Sequence, residues 1–376
     1  MSPLSASAGY RRWVCWLGLI LAAFAAGEIA EPVLPAPHLL TPLLAGLALA
    51  VLGLIAHQVP GGLNRACQAA LGVLMGSYLN PAGLHQAAAA MLPLSVVTAA
   101  TILLSLGAAA VMARMGHVDW PSATLGMVAG GSAAVVSIAG DLNADGRLVA
   151  FLQYLRVAMV AATAPLLVSW LLASHSAASP LLDTDGELGP VVTGAHQSVG
   201  LILLASVALA GTLIGRAVRL PSPALLGPML LTAALTLSGT VEGFAPTGFL
   251  RTVLFTVIGL DIGLRFTRPA LARVGRLLPL AVACTITVSA ACAILAWLLA
   301  TMEHIPLADA YLATTPGGIN AVLATAVATH ADVSLISGVQ SFRLFTMVLL
   351  APLLIRLSRG EGQRRGGPGD ASQAEP

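Results

Sequence analysis

The sequence predicts an all-α polytopic membrane protein built from two homologous halves. Three observations carry that prediction. The chain is 57% hydrophobic and only 9% charged, with a mean hydropathy of +0.89, whereas a soluble domain carries about 25% charged residues. Apolar runs of about 20 residues recur, long enough to cross about 30 Å of hydrocarbon as helix, and they lack the period-two alternation of a barrel strand. Third, Gly130-Gly131, Asp145, Arg156 and Pro165 return as Gly317-Gly318, Asp332, Arg343 and Pro352, each at an offset of 187. One register held across a glycine pair, two polar residues and a proline marks an internal duplication.

Taken in order, Tyr10-Arg11-Arg12-Trp13 leads into a first apolar run that ends near Ala26. The small residues there would tolerate a signal peptidase, but the repeat argues for a retained anchor. Pro35-Ala36-Pro37 and Pro42 match Pro221-Ser222-Pro223 and Pro228 at an offset of 186, and the second copy has a full span before its motif. Further spans are expected over 38–56, 66–79 and 91–112, then an interrupted region over 121–143 and a long span over 148–172. The second half repeats this with spans over 198–218, 224–238, 250–264 and 277–300, an interrupted region over 307–330, and a last span over 333–356. The domain reading is a first membrane repeat at 1–173, a polar periplasmic linker at 174–197, a second repeat at 198–357 and a disordered cytoplasmic tail at 358–376.

If each interrupted region dips in and returns, each half makes five crossings, about ten in all with two re-entrant regions. Starting inside, Arg65, Arg114, Arg147, Arg216, Arg219 and the Arg265–Arg276 run are cytoplasmic, while Glu28, Glu31, Asp183, Asp185 and Glu303 lie outside. Only Arg251 sits near the outer face, so the distribution agrees with the positive-inside rule. An odd number of crossings inverts the second copy, and inverted repeats with interrupted helices are a transporter architecture with binding near the midplane. The expected location is a bacterial inner membrane, multi-pass, with both termini cytoplasmic.

The candidate substrate-binding residues cluster at the interruptions. Thr315-Pro316-Gly317-Gly318 and Asn320 break a helical stretch, because proline lacks a backbone N–H and glycine lacks side-chain bulk. Gly130 and Gly131 are their first-copy counterparts, without the proline and with Ala133 in place of Asn320. Arg343 lies eleven residues past Asp332, roughly 16 Å along a helix, which is near the bilayer midplane. Arg156 stands at the same depth after Asp145, and Gln153 and Gln340 precede the arginines at i−3 on the same helical face. Two readings stand side by side. The guanidiniums bind an anionic solute, helped by free N–H groups at the glycine-flanked helix starts. Alternatively, each ties down the exposed carbonyls of an interrupted region. Asp145, Asp332 and Asp261 are candidates for ion or proton coupling. Asp261 replaces Leu74 of the first copy, and its alternative is a local pair with Arg265 at i+4.

Cys15, Cys67, Cys284 and Cys292 stand singly and no histidine pair has ligand spacing, so neither metal nor cofactor is expected. No catalytic residue emerges and the chain does not read as an enzyme. On Thr315-Pro316-Gly317-Gly318, Ala331-Asp332, the Arg343 helix and the duplication, the chain resembles the AbrB family of bacterial membrane proteins. The resemblance runs from about Trp13 to Arg356. It implies an inner-membrane protein linked by name to regulation of gene expression, and the family also carries an ammonia monooxygenase label. No histidine cluster here suits a copper oxygenase, and no segment reads as a DNA-binding module, so nucleic acid is not an expected partner. The expected partners are the lipid bilayer, a small solute and a further copy of the chain. The leading expectation is a secondary-transporter-like protein for a small anionic or zwitterionic solute. The alternative is a membrane-embedded sensor or regulator, and a membrane enzyme ranks third.

Overall fold

The computed structural model describes residues 3–55, 57–78, 91–128, 135, 139, 142, 144–175, 190–220, 222–239, 243–343 and 346. Among these the chain is helical, with a single isolated bridge between Val192 and Pro246 and no strand. The first half supplies α1 (Pro3–Ala30), α2 (Pro37–Leu52), α3 (Gly61–Ser77), α4 (Met91–Met115), α5 (Trp120–Met127) and α6 (Gly146–His175). The second supplies α7 (Gln197–Ala217), α8 (Pro223–Leu237), α9 (Gly248–Gly263), α10 (Arg268–Val274), α11 (Leu278–Glu303), α12 (Leu307–Thr314), α13 (Ile319–Ala328) and α14 (333–343). Among the described residues, four stretches are long and apolar enough to cross a membrane: Ser95–Met115, Gly146–Leu171, Gln197–Ala217 and Leu278–Glu303. Their outward faces carry Leu103, Trp170, Ile202, Ile294 and Trp297, all exposed. In an all-α membrane protein that surface is the one that meets lipid. The linker acids Asp183, Asp185 and Glu187 and the tail over 358–376 lie outside the described residues.

The duplication extends to backbone angles. Ala36 and Ser222 both precede a helix in the left-handed region, at φ 51° and 54°, and so do His117 and His304, at 51° and 54°. A non-glycine residue costs about 1–2 kcal/mol there, so its return in both halves shows that packing around it holds the turn. The prolines explain how α2 and α8 begin. Pro37 and Pro223 take the first helical turn, where the missing N–H is no loss.

The two halves interlock reciprocally. A Cβ on Gly259 or Gly263 of α9 would collide with the Leu39 or Leu43 carbonyl of α2. A Cβ on Gly72 or Gly76 of α3 would collide with the Leu225 or Met229 carbonyl of α8. Small residues at i and i+4 thus let two backbones touch, once for each half. Residue numbers rise together in both pairs, so α2 runs parallel to α9 and α3 parallel to α8. Arg268 Nε donates to the Val51 carbonyl at 2.6 Å and Asn64 Nδ2 donates to Asp261 at 3.2 Å. The C-terminal ends of α2 and α9 therefore meet the start of α3 at one end of the bundle. Arg65, Arg265 and Arg268 gather there.

Candidate functional site

The site is assembled from two short helices that end at buried depth, α5 and α12, and from α6 and α14, which carry the Gln/Arg pairs. Helix α5 starts on an aspartate cap, with the Ser122 N–H donating to Asp119 Oδ2 at 2.9 Å. It ends at Val128, which turns extended at φ −66°, ψ 127°. Helix α12 ends the same way at Thr315, φ −58°, ψ 135°. A residue before proline is pushed to this region, which accounts for Thr315 before Pro316. Val128 precedes Ala129, so proline does not explain the first break. What the two breaks share is the partner across from them.

That partner is the Gln/Arg pair. Gln153 Nε2 donates to the Leu125 carbonyl at 2.5 Å and the Val128 carbonyl at 2.9 Å, and Arg156 Nη1 donates to the Met127 carbonyl at 3.0 Å. In the second copy Gln340 Nε2 donates to the carbonyls of Leu312, Ala313 and Thr315 at 2.8, 3.3 and 3.3 Å. Arg343 Nη1 donates to those of Thr314 and Thr315 at 3.1 and 2.7 Å. Within each pair Arg Nη2 donates to Gln Oε1, at 2.8 Å and 2.5 Å. The last carbonyls of a helix have no intrahelical partner, and the negative end of the helix dipole favours a cation. Each Gln/Arg pair therefore acts as a side-chain cap for a helix that stops at buried depth. All four side chains are buried, and a guanidinium in that setting needs such acceptors. Of the two readings of the arginines, the carbonyl-holding contacts are the ones the structure contains. Arg156 Nε and Asn320 Oδ1 are buried without a partner among the described residues.

The two sites share one neighbourhood. A Cβ on Gly317 would meet Val160 at 2.5 Å, and one on Gly318 would meet Val157 at 3.0 Å. The Pro316-Gly317-Gly318 break thus crosses α6 one residue past Arg156, and glycine is what allows the approach. Thr314, whose carbonyl Arg343 holds, donates its Oγ1 hydroxyl to the Cys292 carbonyl of α11 at 3.4 Å. Gly130 and Gly131 lie outside the described residues.

The aspartates stand apart from the arginines. Asp145 Oδ1 accepts from the N–H groups of Arg147 and Leu148 at 2.9 and 3.3 Å, and Asp332 Oδ1 accepts from the Leu335 N–H at 3.0 Å. Both are N-caps of the helices that carry the Gln/Arg pairs. Each is also tethered, since the Asp145 N–H donates to Ser122 Oγ at 2.7 Å and the Asp332 N–H to Asp309 Oδ1 at 3.1 Å. Asp261 forms a third cluster. Its Oδ2 accepts from Arg265 Nε and Nη2 at 3.2 and 2.7 Å and from Asn64 Nδ2 at 3.2 Å. The Arg265 guanidinium lies 3.9 Å from the Tyr154 ring centre.

Sequence reasoning missed Asn64, Ser122, Tyr154 and Asp309. The constant spacing of 23 residues from Ser122 to Asp145 and from Asp309 to Asp332 was available as a signal. For Asn64 and Tyr154 no local pattern exists.

Comparison with known proteins gives a family match. A family model described as "Transition state regulatory protein AbrB" matches residues 38–359. The chain is 34% identical over 323 residues to "Putative regulator AbrB" of Escherichia coli (strain K12), covering 86% of this chain and 90% of that one. It is 28% identical over 312 residues to "Uncharacterized protein YhjN" of Bacillus subtilis (strain 168), covering 79% of each.

Proposed function

This chain belongs to the AbrB family, and from that premise we propose that it is a bacterial inner-membrane protein of the secondary-transporter kind for a small anionic or zwitterionic solute. The observation that carries this is the pair of buried breaks. A helix stopped inside a membrane protein is tolerated only where other groups take its backbone polar atoms. Transporter folds place such breaks at the substrate site. Here the C-terminal end of α12 is held by Gln340 and Arg343, which leaves the start of α13 at Gly318-Ile319-Asn320 as the anion-facing side. Asn320, in this copy only, adds a buried side-chain oxygen without a partner among the described residues, an acceptor for the cationic group of a zwitterion.

The interlocked helices support inverted halves. Helix α3 leaves the end of the bundle at which α2 arrives, and α8 runs parallel to α3. Helix α8 is thus opposed to α2, its own counterpart in the repeat. The gathering of Arg65, Arg265 and Arg268 at one end fits a cytoplasmic face, with both termini on that side and the linker outside.

The test is uptake into proteoliposomes from a panel of labelled carboxylates, amino acids and inorganic anions. Accumulation of one class that is lost in Asn320→Ala supports the reading. Binding of a panel compound with no net uptake or exchange favours a second reading, a sensor with a role in regulation of gene expression. The name carried by the Escherichia coli relative speaks for that second reading.

A further inference from the structure

Asp261 and Arg265 are an oppositely charged pair that the first half lacks. Their counterparts at the 187-residue offset are Leu74 and Tyr78. The crossing around them is nevertheless the same in both halves, since Gly72 and Gly76 meet α8 as Gly259 and Gly263 meet α2. The fold therefore builds this crossing without a carboxylate. An ionised pair that packing does not require, placed among helices of a membrane protein, is a candidate for function.

The pair is lopsided. Asp261 Oδ2 takes three donated hydrogen bonds, whereas Oδ1 is buried with no partner among the described residues, and the residue as a whole is 9% exposed. Asn64 and Cys67 face it from α3, Arg265 from its own helix, and Tyr154 of α6 lies on the far side of Arg265. Helix α2 presents Leu43, Gly46 and Leu47 to this part of α9. Arg265 is thus the cation that makes a charged Asp261 tolerable. If Arg265 turns to another anion, the carboxylate is left buried and unpaired, and such a group neutralises by taking a proton. Oδ1 is the open position for it.

Arg265 also differs from the other two arginines. Arg156 and Arg343 spend donors on the backbone carbonyls at two helix ends. Arg265 donates Nε and Nη2 to one carboxylate oxygen, and its side chain keeps 17% exposure. Its stacking on Tyr154 places it one residue along α6 from Gln153, which holds the first break.

We propose that Asp261 and an anionic solute compete for Arg265, and that Asp261 binds a proton at Oδ1 when the solute wins. One proton then travels with each anionic charge and leaves again to water when Arg265 returns to the carboxylate. This rests on the transporter reading above, but its central step is testable without a known solute. Infrared difference spectra of purified Arg265→Ala at neutral pH should show a protonated-carboxyl C=O band that shifts in D2O. The band should be absent from wild type and from Arg265→Ala/Asp261→Asn. A folded Arg265→Ala without the band overturns the proposal. Should Arg265→Ala not fold, Arg265→Gln keeps the length of the side chain and reads the same band. Asp261→Leu/Arg265→Tyr, which copies the other half, should fold and lack it. For any solute that proteoliposomes take up, an inward proton gradient should drive accumulation in wild type. Asp261→Asn should retain exchange but lose that drive. Uptake indifferent to the gradient overturns the coupling and leaves the transporter reading intact. The infrared band without uptake of any solute sinks the transporter reading and leaves the proton site.

Discussion

Ser122 and Asp309 hold the same place in the two halves, each accepting the backbone N–H of an aspartate 23 residues later. A neutral hydroxyl and a carboxylate do one structural task, which is to tie the start of a broken helix to the start of the helix that caps it. Asp309→Ser should therefore stay within about 0.5 kcal/mol of wild-type stability. Asp309→Ala should cost about 1 kcal/mol through the lost acceptor. Thermal unfolding in one detergent ranks the three proteins, and equal losses for Ser and Ala would refute the tether.

The glycine crossings make a paired prediction. Gly259→Ala and Gly72→Ala each drive a Cβ into a backbone carbonyl, and neither backbone can yield without moving a helix. Each should cost about 1–3 kcal/mol. Gly107, in α4, has nothing within 4 Å of a Cβ, so Gly107→Ala should be neutral or gain about 0.5–1 kcal/mol of helix propensity. The same melting assay separates the two classes.

Removing a guanidinium strands carbonyls. Arg343→Ala strands the Thr314 carbonyl, at roughly 1–3 kcal/mol for an unsatisfied buried group, and leaves that of Thr315 with only the 3.3 Å bond from Gln340. Arg156→Ala strands only that of Met127. Arg343→Ala should thus lower the melting temperature more than Arg156→Ala does. Arg343→Lys should recover only part, because a single ammonium cannot span both a carbonyl and Gln340 Oε1 as the planar fork does. Full recovery with Lys would mean that charge alone matters at this position.

Sidedness has its own check. In a cysteine-free background, Glu28→Cys should react with an impermeant thiol reagent added outside intact cells. Arg65→Cys, at the opposite end of the bundle and exposed, should react only after the membrane is opened. Reaction of both from outside would contradict the proposed cytoplasmic face at the Arg65 end of the bundle.

Much of this protein was legible in one dimension. Composition and run length set the class, because hydrocarbon thickness fixes how many apolar residues a span needs. The 187-residue register exposed the duplication, and Pro316-Gly317-Gly318 marked a break since those residues remove a donor and a side chain. That Gln340 and Arg343 share a helical face followed from their i, i+3 spacing. Which atoms the arginines hold did not follow, and both a solute and stranded carbonyls fitted the same guanidinium. That choice depends on what other elements bring within about 3 Å, and here α5 and α12 bring the ends of their own backbones. Asn64 and Asp261 are 197 residues apart, and no local pattern could pair them. Only the tertiary structure set α2 against α9 and α3 against α8. The physical reason is that glycine in a sequence permits close approach but does not name the helix that will approach.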